Sequence, residues 1–131
     1  MVQLDVCTPS HTCMVDITDQ VSRVVADSGI DEGICYVYVP HTTAALTINE
    51  NADPTVRSDI LSWLDKAVPW RDGYQHSEGN AAAHIKASLM GSSHSILVHN
   101  GRLRLGMWQG VYLCEFDGPR HRHVWVRVVA A

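Results

Sequence analysis

The sequence predicts an α+β domain in which mostly antiparallel strands form a sandwich-like sheet arrangement, with two main helices and one short helix. Three observations lead there. A chain of 131 residues leaves no room for a second core of ordinary size, so residues 1–131 form one domain. The composition, 46% hydrophobic and 18% charged, is globular and excludes disorder, collagen and coiled coil as whole-chain readings. Helical patterns are confined between strand-like runs, most of them joined by hairpin signals.

Val2, Leu4 and Val6 alternate with polar neighbours, as in a half-buried strand. Thr18 reads as an N-cap, because Ile17, Val21, Val24 and Val25 follow helical spacing and Gly29 supplies the stop, giving a helix near 18–28. Ile34 to Val39 is apolar, β-branched and aromatic and ends at Pro40, so it reads as a central strand; Ala44 to Ile48 forms another. Asp53-Pro54 is the clearest helix start, an Asp cap followed by proline at the first helical position. Behind it Val56, Ile60, Trp63, Leu64 and Ala67 mark one apolar face, which places Trp63 in the core. Residues 69–80 have no period and many turn formers, the signature of a long functional loop. A short helix at 80–90 follows, capped by Asn80 and stopped by Gly91. Ser95 to Val98, Asn100-Gly101 and Arg102 to Leu105 make a hairpin with a type I′ turn. Strands near 108–116 and 122–129 flank the turn Asp117-Gly118-Pro119.

The formal charge of −4 argues against a general binder of nucleic acid or anionic membrane. The charge is uneven: residues 1–100 hold 12 acidic and 5 basic groups, whereas residues 101–131 hold 5 arginines against Glu115 and Asp117. The four cysteines show no metal-finger spacing and read as reduced, mostly buried side chains of a cytoplasmic protein. The start of the chain has neither a basic nor an apolar leader pattern, and no apolar run is long enough to span a bilayer. Eight histidines are an excess, since about three are usual for this length.

Three polar clusters fall at element ends. Pro40-His41-Thr42-Thr43 sits between two strands, with Asn49-Glu50-Asn51 before the Asp53 helix. His76-Ser77-Glu78-Gly79-Asn80 occupies the long loop, with His84 in the helix after it. Trp108-Gln109 joins Arg120 and Arg122 in the third. The loop-to-helix transition between His76 and His84 lets both imidazoles face one ion, and an open zinc site needs only three protein ligands. Arg120 and Arg122 follow a tight turn and are placed to fork toward a phosphate, whereas Arg102 and Arg104 alternate with leucines on a solvated hairpin face. His94, His99, His121 and His123 read as cross-strand surface residues, and His11 lies in a loop without a partner. Trp70 and Trp108 read as core, with a pocket for a flat heterocycle as the alternative.

Together His41-Thr42-Thr43-Ala44-Ala45-Leu46, Asn49-Glu50-Asn51-Ala52-Asp53-Pro54, His76-Ser77-Glu78-Gly79-Asn80 with His84-Ile85-Lys86, Gly106-Met107-Trp108-Gln109 and Asp117-Gly118-Pro119-Arg120 resemble the YjbQ-like family, also called the secondary thiamine-phosphate synthase family. The likeness spans nearly the whole chain in order; Met107 departs from the commoner Gly-Thr-Trp-Gln form. The resemblance implies a YjbQ-like fold, a homotrimer, and a site with histidines and a metal near subunit boundaries. It also implies a weak activity that joins a pyrimidine methyl diphosphate to a thiazole phosphate and releases pyrophosphate. On it, His41, His76 and His84 are expected as metal ligands, and Glu78 or Asp53 as second carboxylate or acid/base. Arg120, Arg122, Gln109, Thr42 and Asn51 are the expected phosphate or polar-substrate contacts. Imidazole ligands favour zinc over magnesium as the divalent ion, and no paired-acid magnesium motif is present. The alternative function is a non-catalytic protein that binds a metal or a small phosphorylated metabolite. Neither nucleic acid nor membrane is expected as a partner.

Overall fold

The computed structural model describes residues 1–131, in the order β1 (Val2–Cys7), β2 (Cys13–Asp16), α1 (Thr18–Ser28), β3 (Gly33–Tyr38), β4 (Ala44–Glu50), α2 (Pro54–Ala67), α3 (Ala81–Met90), β5 (Ser93–His99), β6 (Arg102–Leu103), β7 (Gln109–Glu115) and β8 (His121–Ala130). Two antiparallel sheets result, one in the order β1-β8-β3-β5-β6 and the other β2-β7-β4. Three helices and a two-sheet core make the fold α+β, as the pattern of elements predicts.

The larger sheet turns Val6, Cys35, Val37, Ile96, Val98, Val124 and Val126 toward Leu46, Val111 and Leu113 of the smaller one, and Ile17, Val21 and Val25 of the α1 region close this core. The smaller sheet is covered on its other side too. Ala45, Tyr112, Cys114 and Phe116 pack there against Leu64 of α2 and Ala83 and Ala87 of α3. β7 is therefore buried along nearly all its length, which is why residues 111–114 read as a continuous apolar run without alternation.

Several local expectations are corrected. β2, only four residues long and fixed by pairing Cys13–Asp16 with Tyr112–Glu115, gives too short a pattern to be read from sequence. Thr18 is the first helical residue rather than the cap; Asp16 Oδ1 accepts from both its amide and its hydroxyl, and the Thr18 hydroxyl accepts from the Val111 amide. Trp63 is 64% exposed, because α2 lays Ile60, Leu61 and Leu64 on the sheet and the periodic stripe is wider than the surface covering it. Trp108 is exposed as well, whereas Trp70 packs against the second core. Of the cysteines, all free, Cys35 and Cys114 are buried, Cys13 is half-buried and Cys7 is exposed. The Asn100-Gly101 turn has positive φ at both residues, 53° and 75°, as a type I′ hairpin requires.

Gly33 opens β3 where a Cβ would lie 2.1 Å from the Val129 carbonyl oxygen. Gly33→Ala should therefore push β3 off β8 and destabilise the domain by about 1–3 kcal/mol, read as a lower urea midpoint with unchanged slope.

Candidate functional site

Two connections cross between the sheets at the same end of the sandwich: β3 to β4 through residues 39–43, and β7 to β8 through residues 116–120. Facing polar side chains gather where the apolar layers stop. Loop 68–80 and the start of α3 close over them. The result is a cavity of about 410 Å³ lined by Pro40, His41, Thr42, Thr43, His76, Glu78, Asn80, His84, Arg120 and Arg122, all but Pro40 with polar side chains.

Its floor is a buried ion pair. Arg122, 4% exposed, donates from Nε to Glu115 Oε1 at 2.8 Å and from Nη2 to Glu115 Oε2 and to Thr43 Oγ1, the last at 2.9 Å. Glu115, with no exposed surface, also accepts from the Thr8 hydroxyl at 2.7 Å and the Asp117 amide at 3.0 Å. Burial pushes its carboxyl pKa up, but the bonds from Arg122, the Asp117 amide and Thr8 outweigh that and hold it below the usual range. Arg122 is thus not a free fork: Nε and Nη2 are engaged, and Nη1 is the part left to face a ligand. Arg120 is the cation at the rim. It donates to the Asp117 carbonyl and carboxylate at 2.7 and 3.0 Å and is half exposed.

His76 and His84 meet edge to face with ring centroids 5.2 Å apart. Between them in sequence, Asn80 sits at the cap position of α3 without capping it. Its Nδ2 donates to Asp117 Oδ2 at 2.9 Å, which fixes the amide orientation and leaves Oδ1 buried without a partner. Two imidazoles, an orphaned amide oxygen and Glu78 line this cavity and are donor types that a borderline divalent ion such as zinc takes, but the ligating atoms of His76, His84 and Glu78 do not all lie within 4.8 Å of one another, so side-chain rotation is needed to bring them onto one ion. His41 is positioned differently: Nε2 accepts from the His123 amide at 2.9 Å. Burial, with the Arg122 charge and His123 beside it, pushes the imidazole pKa below its usual value. His41 lines the cavity with Nε2 already occupied by the His123 amide, so Nδ1 is the ring nitrogen left to meet a metal or a substrate atom.

Seven of the ten expected site residues share this cavity: His41, Thr42, His76, Glu78, His84, Arg120 and Arg122. Asn51, Asp53 and Gln109 do not. They follow or pair with the far end of β4, where Glu50 pairs with Gln109, and seven strand residues at about 3.3 Å each put that end about 20 Å from Ala44. Trp108-Gln109 and Arg120 are accordingly at opposite ends of β7, not in one cluster. Asp53 is spent as the α2 cap, its Oδ1 accepting from the Thr55 amide and hydroxyl at 3.0 and 2.7 Å; those bonds hold its carboxyl below the usual range. Gln109 Oε1 accepts from the Gly106 amide at 2.7 Å. Glu115 lies outside the polar clusters read from sequence, and Thr43 and Asn80, which are within them, take site roles not expected there: Thr43 Oγ1 accepts from Arg122, and Asn80 binds Asp117 instead of capping α3. Glu115 had a signal, a lone carboxylate inside an apolar strand run, which burial permits only when it is paired.

A small two-sheet α+β domain with a predominantly polar, histidine- and arginine-lined cavity at the crossover end is the class that fold and site define. The chain belongs to the YjbQ-like UPF0047 family, whose profile matches residues 2–131. It is 47% identical over 127 residues to the UPF0047 protein YugU of Bacillus subtilis, covering 96% of each chain, and 43% identical over 130 residues to a UPF0047 protein of Archaeoglobus fulgidus, covering 98% and 100%. A crystal structure from Clostridium acetobutylicum, described as an uncharacterised conserved protein of this family and an orthologue of YugU, superposes with a TM-score of 0.97 at 51% identity, covering 98% and 100%. A family protein of unknown function from Sulfolobus solfataricus gives 0.95 at 36%, covering 99% and 96%. No helix is long and apolar enough to cross a membrane.

Proposed function

We propose that the cavity binds a divalent metal together with a phosphorylated small molecule and catalyses a transferase reaction of the thiamine-phosphate synthase kind. The observation that supports this most is the convergence of His76, His84, Glu78, Asn80, Arg120 and Arg122 on one polar cavity. In the reaction, the C–O bond from the pyrimidine methylene to the diphosphate breaks, its electron pair leaving with pyrophosphate, and a C–N bond forms to the thiazole. His76, His84 and Glu78 or Asn80 Oδ1 would hold the metal, which would supply positive charge toward the leaving diphosphate. Arg120 and Arg122 Nη1 bind diphosphate oxygens, Thr42 adds a hydroxyl, and His41 Nδ1 meets a polar substrate atom.

The proposal includes a homotrimer. Asn51, Asp53 and Gln109 lie at the end of the molecule opposite the cavity, beside exposed Met107 and Trp108. A second copy that lays this end against the cavity brings both halves of the motif set together. The test is incubation of the purified chain with the pyrimidine methyl diphosphate and the thiazole phosphate. Formation of thiamine phosphate and pyrophosphate, lost on removal of metal by chelator, is the expected result. Turnover that survives complete chelation contradicts it.

A further inference from the structure

Asp5 of β1 and His121 and His123 of β8 stand outside the cavity on the outer face of the larger sheet. Their placement follows from strand geometry. Asp5 pairs across the strands with His123, and His121, two residues from His123, projects from the same face. The ligating atoms of the three lie within 4.8 Å of one another, the only group of three or more His, Cys, Asp or Glu residues in the protein that meets this condition. Both rings aim at one oxygen: His123 Nδ1 is 2.8 Å and His121 Nε2 3.5 Å from Asp5 Oδ1. The three side chains are between 39% and 62% exposed, so an ion reaches them without opening the fold.

We infer that Asp5, His121 and His123 form a second metal site, separate from the cavity, that takes a zinc-type divalent transition ion. Two imidazole nitrogens and a carboxylate oxygen are the donors such ions select, and the set suits Mg²⁺ or Ca²⁺ poorly because it offers a single carboxylate. Both strands are packed into the sheet, which fixes the two backbones; only side-chain rotation is left to complete the coordination. His41 stacks on His123 with centroids 6.0 Å apart while also lining the cavity, so it lies against both sites.

The inference does not depend on the transferase reading. The test is calorimetric titration of zinc into the full chain, freed of any purification tag, in the His76→Ala/His84→Ala background that removes the cavity imidazoles. One zinc per chain is expected to remain. Adding His121→Ala and His123→Ala should weaken it at least about tenfold, and Asp5→Asn, which keeps size and hydrogen bonding, should weaken it by a smaller factor. Circular dichroism checks that each variant is folded. No zinc binding in the His76/His84 background, or an affinity within about threefold after loss of His121 and His123, overturns it.

Discussion

Arg122→Met is expected to destabilise the domain by about 3–5 kcal/mol, the largest effect of any single replacement considered for this chain. The arginine is almost fully buried and gives Glu115 two of its hydrogen bonds; without it a carboxylate with no exposed surface keeps only the Thr8 hydroxyl and the Asp117 amide. The cost is that of a stranded charge, not the net worth of the pair, so Glu115→Gln combined with Arg122→Met should cost less than the two single changes added together. Guanidinium-chloride unfolding of the four proteins measures the coupling. The same pair sets an acid limit. Because the folded pKa of Glu115 lies below its ordinary 4.5, its contribution is full above that value and is lost as pH falls from 4.5 through the lowered folded pKa. Wild-type stability should therefore drop in that window, with a shallower drop in the double variant. A cost for Arg122→Met below about 1 kcal/mol would show that the pair does not hold this end of the sandwich together.

The second large effect concerns chemistry rather than stability. In the His76→Ala/His84→Ala variant the cavity is expected to lose its metal, with affinity at that site falling by more than the roughly 10–100-fold typical of losing an outer-shell partner, and metal-dependent turnover falling to background. His76 is exposed and His84 half-buried, so stability should stay within about 1 kcal/mol of wild type, which separates this outcome from unfolding. Metal analysis, turnover and a denaturation curve on the same preparation suffice. Unchanged turnover in a folded variant would remove both residues from the site.

Much of this was legible in the residues. The Asp53-Pro54 start, the Asn100-Gly101 turn and the 34–39 strand carry their causes locally, in a cap, a positive φ and a β-branched run, and each appears where expected. Cavity residues were legible because functional side chains collect at element ends, where the core does not consume them. What failed depends on tertiary context. Trp63 and Trp108 look like core until the covering surface is known. Asn51 and Gln109 look like neighbours of His41 and Arg120 until β4 and β7 are laid out as strands about 20 Å long. The roles of Arg122 and His41 turn on single partners, Glu115 and the His123 amide, that sequence separation conceals. The Asp5, His121 and His123 group went unseen because 116 residues or more separate its carboxylate from its imidazoles, and only the β1-β8 register joins them.

The central claim is that the polar cavity holds a metal and a phosphorylated ligand together. It is tested most directly by calorimetric titration of inorganic pyrophosphate into the metal-free and the zinc-loaded chain, with Arg120→Ala and His76→Ala/His84→Ala alongside. The account predicts that zinc strengthens pyrophosphate binding in the wild type, that Arg120→Ala weakens it at least about tenfold, and that the histidine variant loses the zinc dependence. Pyrophosphate binding of equal strength with and without zinc, unchanged in both variants, would contradict it.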